Sequence, residues 1–221
     1  MNKETIDRIR KFSEDRDWDQ FHGPANLAKS IVIEAAELLE CFQWCDDNFN
    51  LQHVKEELAD VLVYSQNLLD KLGLDADEIV NMKMDKNEAK ELLSFHSTRN
   101  EDIDNMKWEK GFLGSLRPFR RELYEENFFE VMECLRALKD EFSGIAIEKD
   151  IISDIVAIIH YPRVWLAPEG MLGSNHLLTE EQNKHLLAWT DIIESCFMFL
   201  LEDDVEDAFI DYEDYLNGTY F

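Results

Sequence analysis

Glu34 and Glu37 stand three residues apart in the apolar run Ser30–Phe42, and Glu57 and Asp60 repeat that spacing in 56–64. Residues three apart share one helix face, so each pair presents two carboxylates side by side. The flanking Ile, Val, Leu and Ala predict helices buried in a bundle. A buried carboxylate is costly unless its charge is compensated. Four of them with oxygen as the only ligand atom suit a hard divalent cation such as Mg²⁺, with Mn²⁺ as a second fit. That chemistry points towards phosphate.

Each pair extends along its own face. From Glu34 and Glu37 the face continues to Cys41 and Trp44, and from Glu57 and Asp60 it continues to Tyr64 and Asn67. Both faces therefore carry acids at one level and aromatic or amide groups at another, a layout for a metal-bound phosphate next to a ring with polar edges. Trp18, Phe21 and His22 lie on a connecting loop where a base could stack. A di-iron carboxylate bundle would need Glu-x-x-His on two helices, and none of the six histidines has Glu three residues before it.

The remaining elements follow from periodicity in a chain with only four prolines and eight glycines. Helices are predicted over 3–16, with Ile6, Ile9, Arg10 and Phe12 along one edge, over 26–44 with Asn26 as cap, over 51–72 closed by Gly73, and over 75–93. Beyond a polar junction at 97–104, helices are predicted over 119–142, over 148–160 (closed by Pro162), and over 179–201, the last opened by a Thr179…Gln182 capping box. Residues 142–147 could form a short strand, and 202–221 either an acidic helix or a disordered tail. The fold class is all-α, with a helical bundle at 1–96, a linker at 97–104 and a mainly helical acidic domain at 105–221.

Charge and cysteine usage narrow the partners. A formal net charge of −26 argues against nucleic acid or an anionic membrane as partner. It also requires any polyphosphate to arrive with metal ions. No 18-residue uncharged apolar run occurs, and the first residues do not read as a signal peptide. The four cysteines lack CxxC spacing and read as reduced thiols, so a cytoplasmic location is expected. Arg117–Arg121 is the one basic cluster of the acidic half, expected to pair with local acids. No P-loop, nucleophile elbow or dinucleotide fingerprint occurs.

Residues 4–90 resemble the all-α nucleoside triphosphate pyrophosphohydrolases of the MazG-like superfamily, and within them the dCTP pyrophosphatase-like branch. The resemblance is carried by Phe12-x-x-x-Arg16-Asp-Trp18-x-x-Phe21-His22-x-Pro24-x-Asn26-Leu27, Glu34-x-x-Glu37-Leu38 with Phe42-Gln-Trp44, Glu56-Glu57-Leu-x-Asp60-Val-Leu-x-Tyr64, and Lys83-Met-Asp85-x-Asn87. It implies hydrolysis of a nucleoside triphosphate, a pyrimidine deoxynucleotide such as dCTP, to monophosphate and pyrophosphate. It further implies that Glu34, Glu37, Glu57 and Asp60 ligate Mg²⁺, with one carboxylate helping to activate water. Lys83 and Asn87 would contact phosphate, and Trp18, His22, Asn26, Trp44, Tyr64 and Asn67 would surround base and sugar. A homodimer or homotetramer is implied as well. The Tyr-Pro pair that often follows the Lys…Asn helix is replaced by Lys90-Glu-Leu-Leu93, and the extension has no counterpart. A competing expectation is a non-hydrolytic nucleotide sensor that relays its state to a protein partner through 105–221.

Overall fold

The computed structural model describes residues 1–44, 47–117 and 123–221. Among the described residues all regular structure is helical and no strand occurs, as the all-α expectation requires. Two compact units result, Met1–Met82 and Lys83–Phe221.

In the first unit α1 (Lys3–Glu14) is capped by Asn2, whose side chain accepts the Thr5 N–H. A 3₁₀ turn at Trp18–Gln20 leads to α2 (Pro24–Glu40) and then to α3 (Leu51–Leu72). Asn50 caps α3 through the Gln52 and His53 N–H groups, and Gly73 ends it at φ 67°, a left-handed conformation that glycine adopts without a Cβ clash. Both α1 and α2 pack along α3. Two expectations are corrected here. Gly23, not Asn26, caps α2, because Pro24 supplies a preset φ at the first helical position. Asn26 instead turns its amide back to donate to the Phe21 carbonyl at 3.1 Å. The helix also stops at Glu40, which leaves Trp44 beyond its end and 89% exposed.

Burial of α2 and α3 falls short of the expected bundle. Val32 and Leu39 are 68% and 69% exposed, and Leu58 and Leu62 are also open. The apolar residues of α2 run around more of its circumference than its partner helix can cover.

Helix α4 (Ala76–His96) contains the division between the units. That division lies upstream of the polar run at 97–104 because Ala89 and Leu93 are already core residues of the second unit. There α5 (Met106–Lys110), α6 (Glu125–Phe142), α7 (Lys149–Leu166), α8 (Glu180–Leu201) and α9 (Ile210–Leu216) follow, and α8 packs against α6, α7 and α9. The core centres on fully buried Phe128, stacked on Trp189 with centroids 5.6 Å apart.

The Trp189 indole donates to the Tyr215 hydroxyl at 2.8 Å, which donates to Glu125 at 2.5 Å. These bonds, with Tyr212 buried, order the acidic terminal segment. Thr179 and Gln182 form the expected capping box. Helix α6 opens at Glu125; residues 118–122, with most of the basic cluster and the predicted helix start, lie outside the described residues, as does Cys45. No strand forms at 142–147, since α6 claims Phe142.

The predicted stop at Pro162 is also overturned: α7 runs through it to Leu166. A proline inside a helix costs about 3 kcal/mol through its lost N–H bond and ring clash. Here Ile151, Ile155, Ile158, Ile159 and Pro162 are all buried on that helix, and their burial outweighs the cost. The chain turns after α7 at Gly170, where a Cβ would lie 2.3 Å from the Val164 carbonyl oxygen, so no larger residue fits.

Candidate active site

The packing of α2 along α3 brings the two acid pairs together. Carboxylate oxygens of Glu34, Glu37 and Glu57 lie within 4.8 Å of one another. Asp60 falls outside that trio, and its charge acts on Glu34. The Glu34 carboxyl is pushed above its ordinary value first by burial and then by the charges of Glu37, Asp60 and Glu57. Tyr64, one turn further along α3, is raised by its own burial and then by Glu34 and Asp60. Glu57 is the most enclosed of the four, its side chain 12% exposed with His53 Nε2 3.1 Å from its Oε1. Glu34 is half-buried, while Glu37 and Asp60 reach solvent, so the acids form the floor of an open cleft rather than a buried box.

A divalent cation fits this arrangement on its chemistry. Every donor is a carboxylate oxygen, the ligand type of hard cations. The charges acting on Glu34 are all negative, an excess that a cation would neutralise.

Beside the acids runs a chain of rings. Trp18 meets Phe12 edge-on at 5.5 Å and His22 at 5.5 Å, and His22 lies 6.3 Å from Tyr64. Burial, followed by the Lys71 charge, lowers the His22 imidazole below its ordinary value, which keeps the ring neutral at pH 7.

His22 and Asn67 then line a cavity of about 580 Å³ between α1 and α3. Across it the Arg10 guanidinium donates to both oxygens of Asp70, at 2.9 and 2.7 Å. Lys71 pairs with Asp19 at the loop side. Ser13 donates to the Asn67 side-chain oxygen at 3.2 Å.

Of the residues singled out from the sequence, Glu34, Glu37, Glu57, Asp60, Tyr64, Trp18 and His22 therefore come together, with Asn67 at the cavity. Trp44 projects from the turn after α2, and Asn26 is engaged with the loop backbone. Lys83 and Asn87 are exposed on α4 and belong to the second unit. Sequence reading missed Ser13, Asp19, Asp70 and Lys71 and placed Arg10 on an apolar edge. The one local signal for Arg10 was a cation among Ile6, Ile9 and Phe12, a position that calls for an acid on the facing helix.

Residues 29–105 match the MazG-like family. Over 96 residues the chain is 38% identical to dCTP pyrophosphatase 1 of Mus musculus and of Homo sapiens, a span of 38% of this chain and 56% of each relative. The same protein of Bos taurus is 36% identical, with 57% of its length covered. The chain thus spans little more than half the length of these curated relatives. Residues beyond 105 lie outside the family match. No solved structure matches the chain.

Proposed function

We propose that this chain, MazG-like in its N-terminal region, is a divalent-metal-dependent nucleoside triphosphate pyrophosphohydrolase. The proposed substrate is a pyrimidine deoxynucleotide such as dCTP, and the proposed ion is Mg²⁺. The observation that carries the reading is the convergence of Glu34, Glu37 and Glu57 oxygens, with Asp60 beside them, inside the region similar to dCTP pyrophosphatases.

When bound, the metal neutralises triphosphate charge and polarises the α-phosphoryl group. Glu34, Glu37, Glu57 and Asp60 would hold it there, and one carboxylate of the set would accept the proton of the attacking water. The water oxygen bonds to the α-phosphorus, the bond to the bridging oxygen breaks, and pyrophosphate leaves the monophosphate behind. The neutral His22 ring and its aromatic neighbours favour a base over an anion beside the acids. Trp18, Tyr64 and Asn67 are the proposed base and sugar contacts, with Asn26 and Trp44 at the rim. Lys83 and Asn87 are proposed phosphate contacts on likeness alone.

A second copy of the chain is the proposed cover for the exposed Val32, Leu39, Leu58 and Leu62, because exposed apolar side chains grouped on a helix pair are a recurrent association feature. The non-hydrolytic sensor is not favoured, since all four carboxylates are present.

Purified protein incubated with each nucleoside triphosphate and Mg²⁺ should release monophosphate and pyrophosphate from a pyrimidine deoxynucleotide. Full activity in Glu37→Gln or Asp60→Asn would sink the proposal.

A further inference from the structure

Between α4 and α6 the second unit opens a groove of about 610 Å³, within the size range of a binding pocket. Leu92 and Phe129, both half-buried, give it apolar walls and pack on the core behind. Glu88 and Glu91 stand on the α4 side, and Glu130 and Glu133 on the α6 side, all four exposed. Lys107 on α5 is the one base among the lining residues.

Glu130 is held from behind. The Phe112 N–H donates to His96 Nδ1 at 3.0 Å, so the neutral ring carries its proton on Nε2, which lies 3.2 Å from Glu130 Oε2. His96, with Lys107 adding to it, keeps the Glu130 carboxyl below the ordinary carboxylate value. Glu133 reaches Arg136 at 3.7 Å, but Arg136 is shared with Glu213 at 2.8 Å. Among the described residues no base pairs with the side chain of Glu88 or Glu91. The groove therefore keeps a negative surplus above an apolar floor.

Charge and shape select its occupant. Nucleic acid, an anionic lipid surface or an acidic protein is repelled, and a basic one is drawn in. All regular structure among the described residues is helical, so no sheet edge is offered to an extended peptide, and a helix laid into the groove is the mode that remains. Glu88 and Glu91 are three residues apart, as are Glu130 and Glu133, which spaces each pair about 4.5 Å along its axis. Basic residues three or four apart on a docked helix match that spacing, and the same helix face can lower an apolar side chain between Leu92 and Phe129.

We propose that this groove docks a basic amphipathic helix of a partner protein, with an apolar side chain seated on Leu92 and Phe129 and its lysines or arginines facing the four glutamates. Docking here is independent of the acids on α2 and α3, so its failure would leave nucleotide hydrolysis untouched.

Fluorescence anisotropy with the full-length protein tests this, using a labelled peptide of lysine and leucine with its leucines on one helix face. The peptide is about 14 residues long, enough for a helix to form. A peptide of the same composition with leucines all round, and spermine as competitor, are the controls. The amphipathic peptide should bind about tenfold more tightly than the scrambled one, the worth of one partly buried leucine, and more tightly than spermine. Glu88→Lys with Glu91→Lys should weaken it at least about tenfold by turning two attractions into repulsions. Glu169→Lys with Glu202→Lys, equal in charge and exposed elsewhere on the unit, should change it less than about twofold, since distant charges are screened. Leu92→Gln should erase the preference over the scrambled peptide. Carbodiimide coupling of the peptide lysines, mapped by mass spectrometry, should fall on Glu88, Glu91 and Glu133.

Equal weakening by the two pairs of reversals, equal affinity for the scrambled peptide or spermine, or coupling scattered over other acids overturns the docking site. Coupling between two copies of the chain through Glu88 or Glu91 without peptide gives the groove to a second copy and overturns the partner helix as well.

Discussion

Phe128 on α6 is fully buried against Trp189, whereas Val32 on α2 is 68% exposed although its neighbours are as apolar. The second unit buries a continuous core drawn from α4 through α9, and it holds none of the clustered acids. The first unit holds the acids and fully buries few of its own apolar side chains, Ile9 and Leu27 among them. The contrast follows from what carboxylates tolerate. Four acids in a dry core would cost more than any packing around them could return, while a solvated cleft between two helices tolerates them.

The largest effect should come from the packed side of that comparison. Phe128→Ala removes a fully buried ring and should cost about 3–5 kcal/mol of second-unit stability in urea unfolding. Val32→Ala should stay within about 0.5 kcal/mol in the dissociated chain. If a second copy covers α2, Val32→Asp should lower the mass seen by light scattering without changing helix content. Equal costs for Phe128→Ala and Val32→Ala would break the comparison.

Next, Glu34→Gln should lower pyrophosphohydrolase activity at least about a hundredfold, because metal charge stabilisation is worth several kcal/mol. The same variant should melt higher than wild type in chelator, since it removes a carboxylate that burial and three acids disfavour. Lower activity with a lower melting temperature would mean that Glu34 is structural.

Acid should then separate the two units by sign. The raised Glu34 carboxyl gives stability that is present at low pH and lost as pH rises through its folded value. Glu141 runs the other way. Lys86, donating at 3.1 Å, holds it below the usual carboxylate range, and Lys90 adds to this. Its contribution is present above the unfolded value and lost as pH falls through the folded one. Melting curves should show Glu34→Gln stabilising and Glu141→Gln destabilising at pH 7, with both differences vanishing at strongly acidic pH. The smallest effect belongs to Thr179→Ala, which opens the capping box of α8 and should cost about 1 kcal/mol.

Much of this was legible one helix at a time. The 3.6-residue period and Gly73 mark α3, and the matching acid spacings on consecutive helices anticipate the approach of Glu34, Glu37 and Glu57. What stayed hidden depends on partners. Apolarity of α2 reads as burial, but periodicity records what a helix could cover, not whether its own chain covers it. The Arg10–Asp70 pair joins residues sixty positions apart, and nothing local marks it. Pro162 reads as a stop because its local cost is visible in sequence, whereas the packing that outweighs it is not.

Cys134 and Cys196 are buried free thiols whose acidity burial suppresses, pushing each up to about 12. A thiol that hardly ionises neither alkylates nor oxidises at neutral pH. Each is therefore a silent clock inside the second unit. Alkylation at either sulfur dates an opening of α6 or α8, and the labelling rate counts how often the core comes apart.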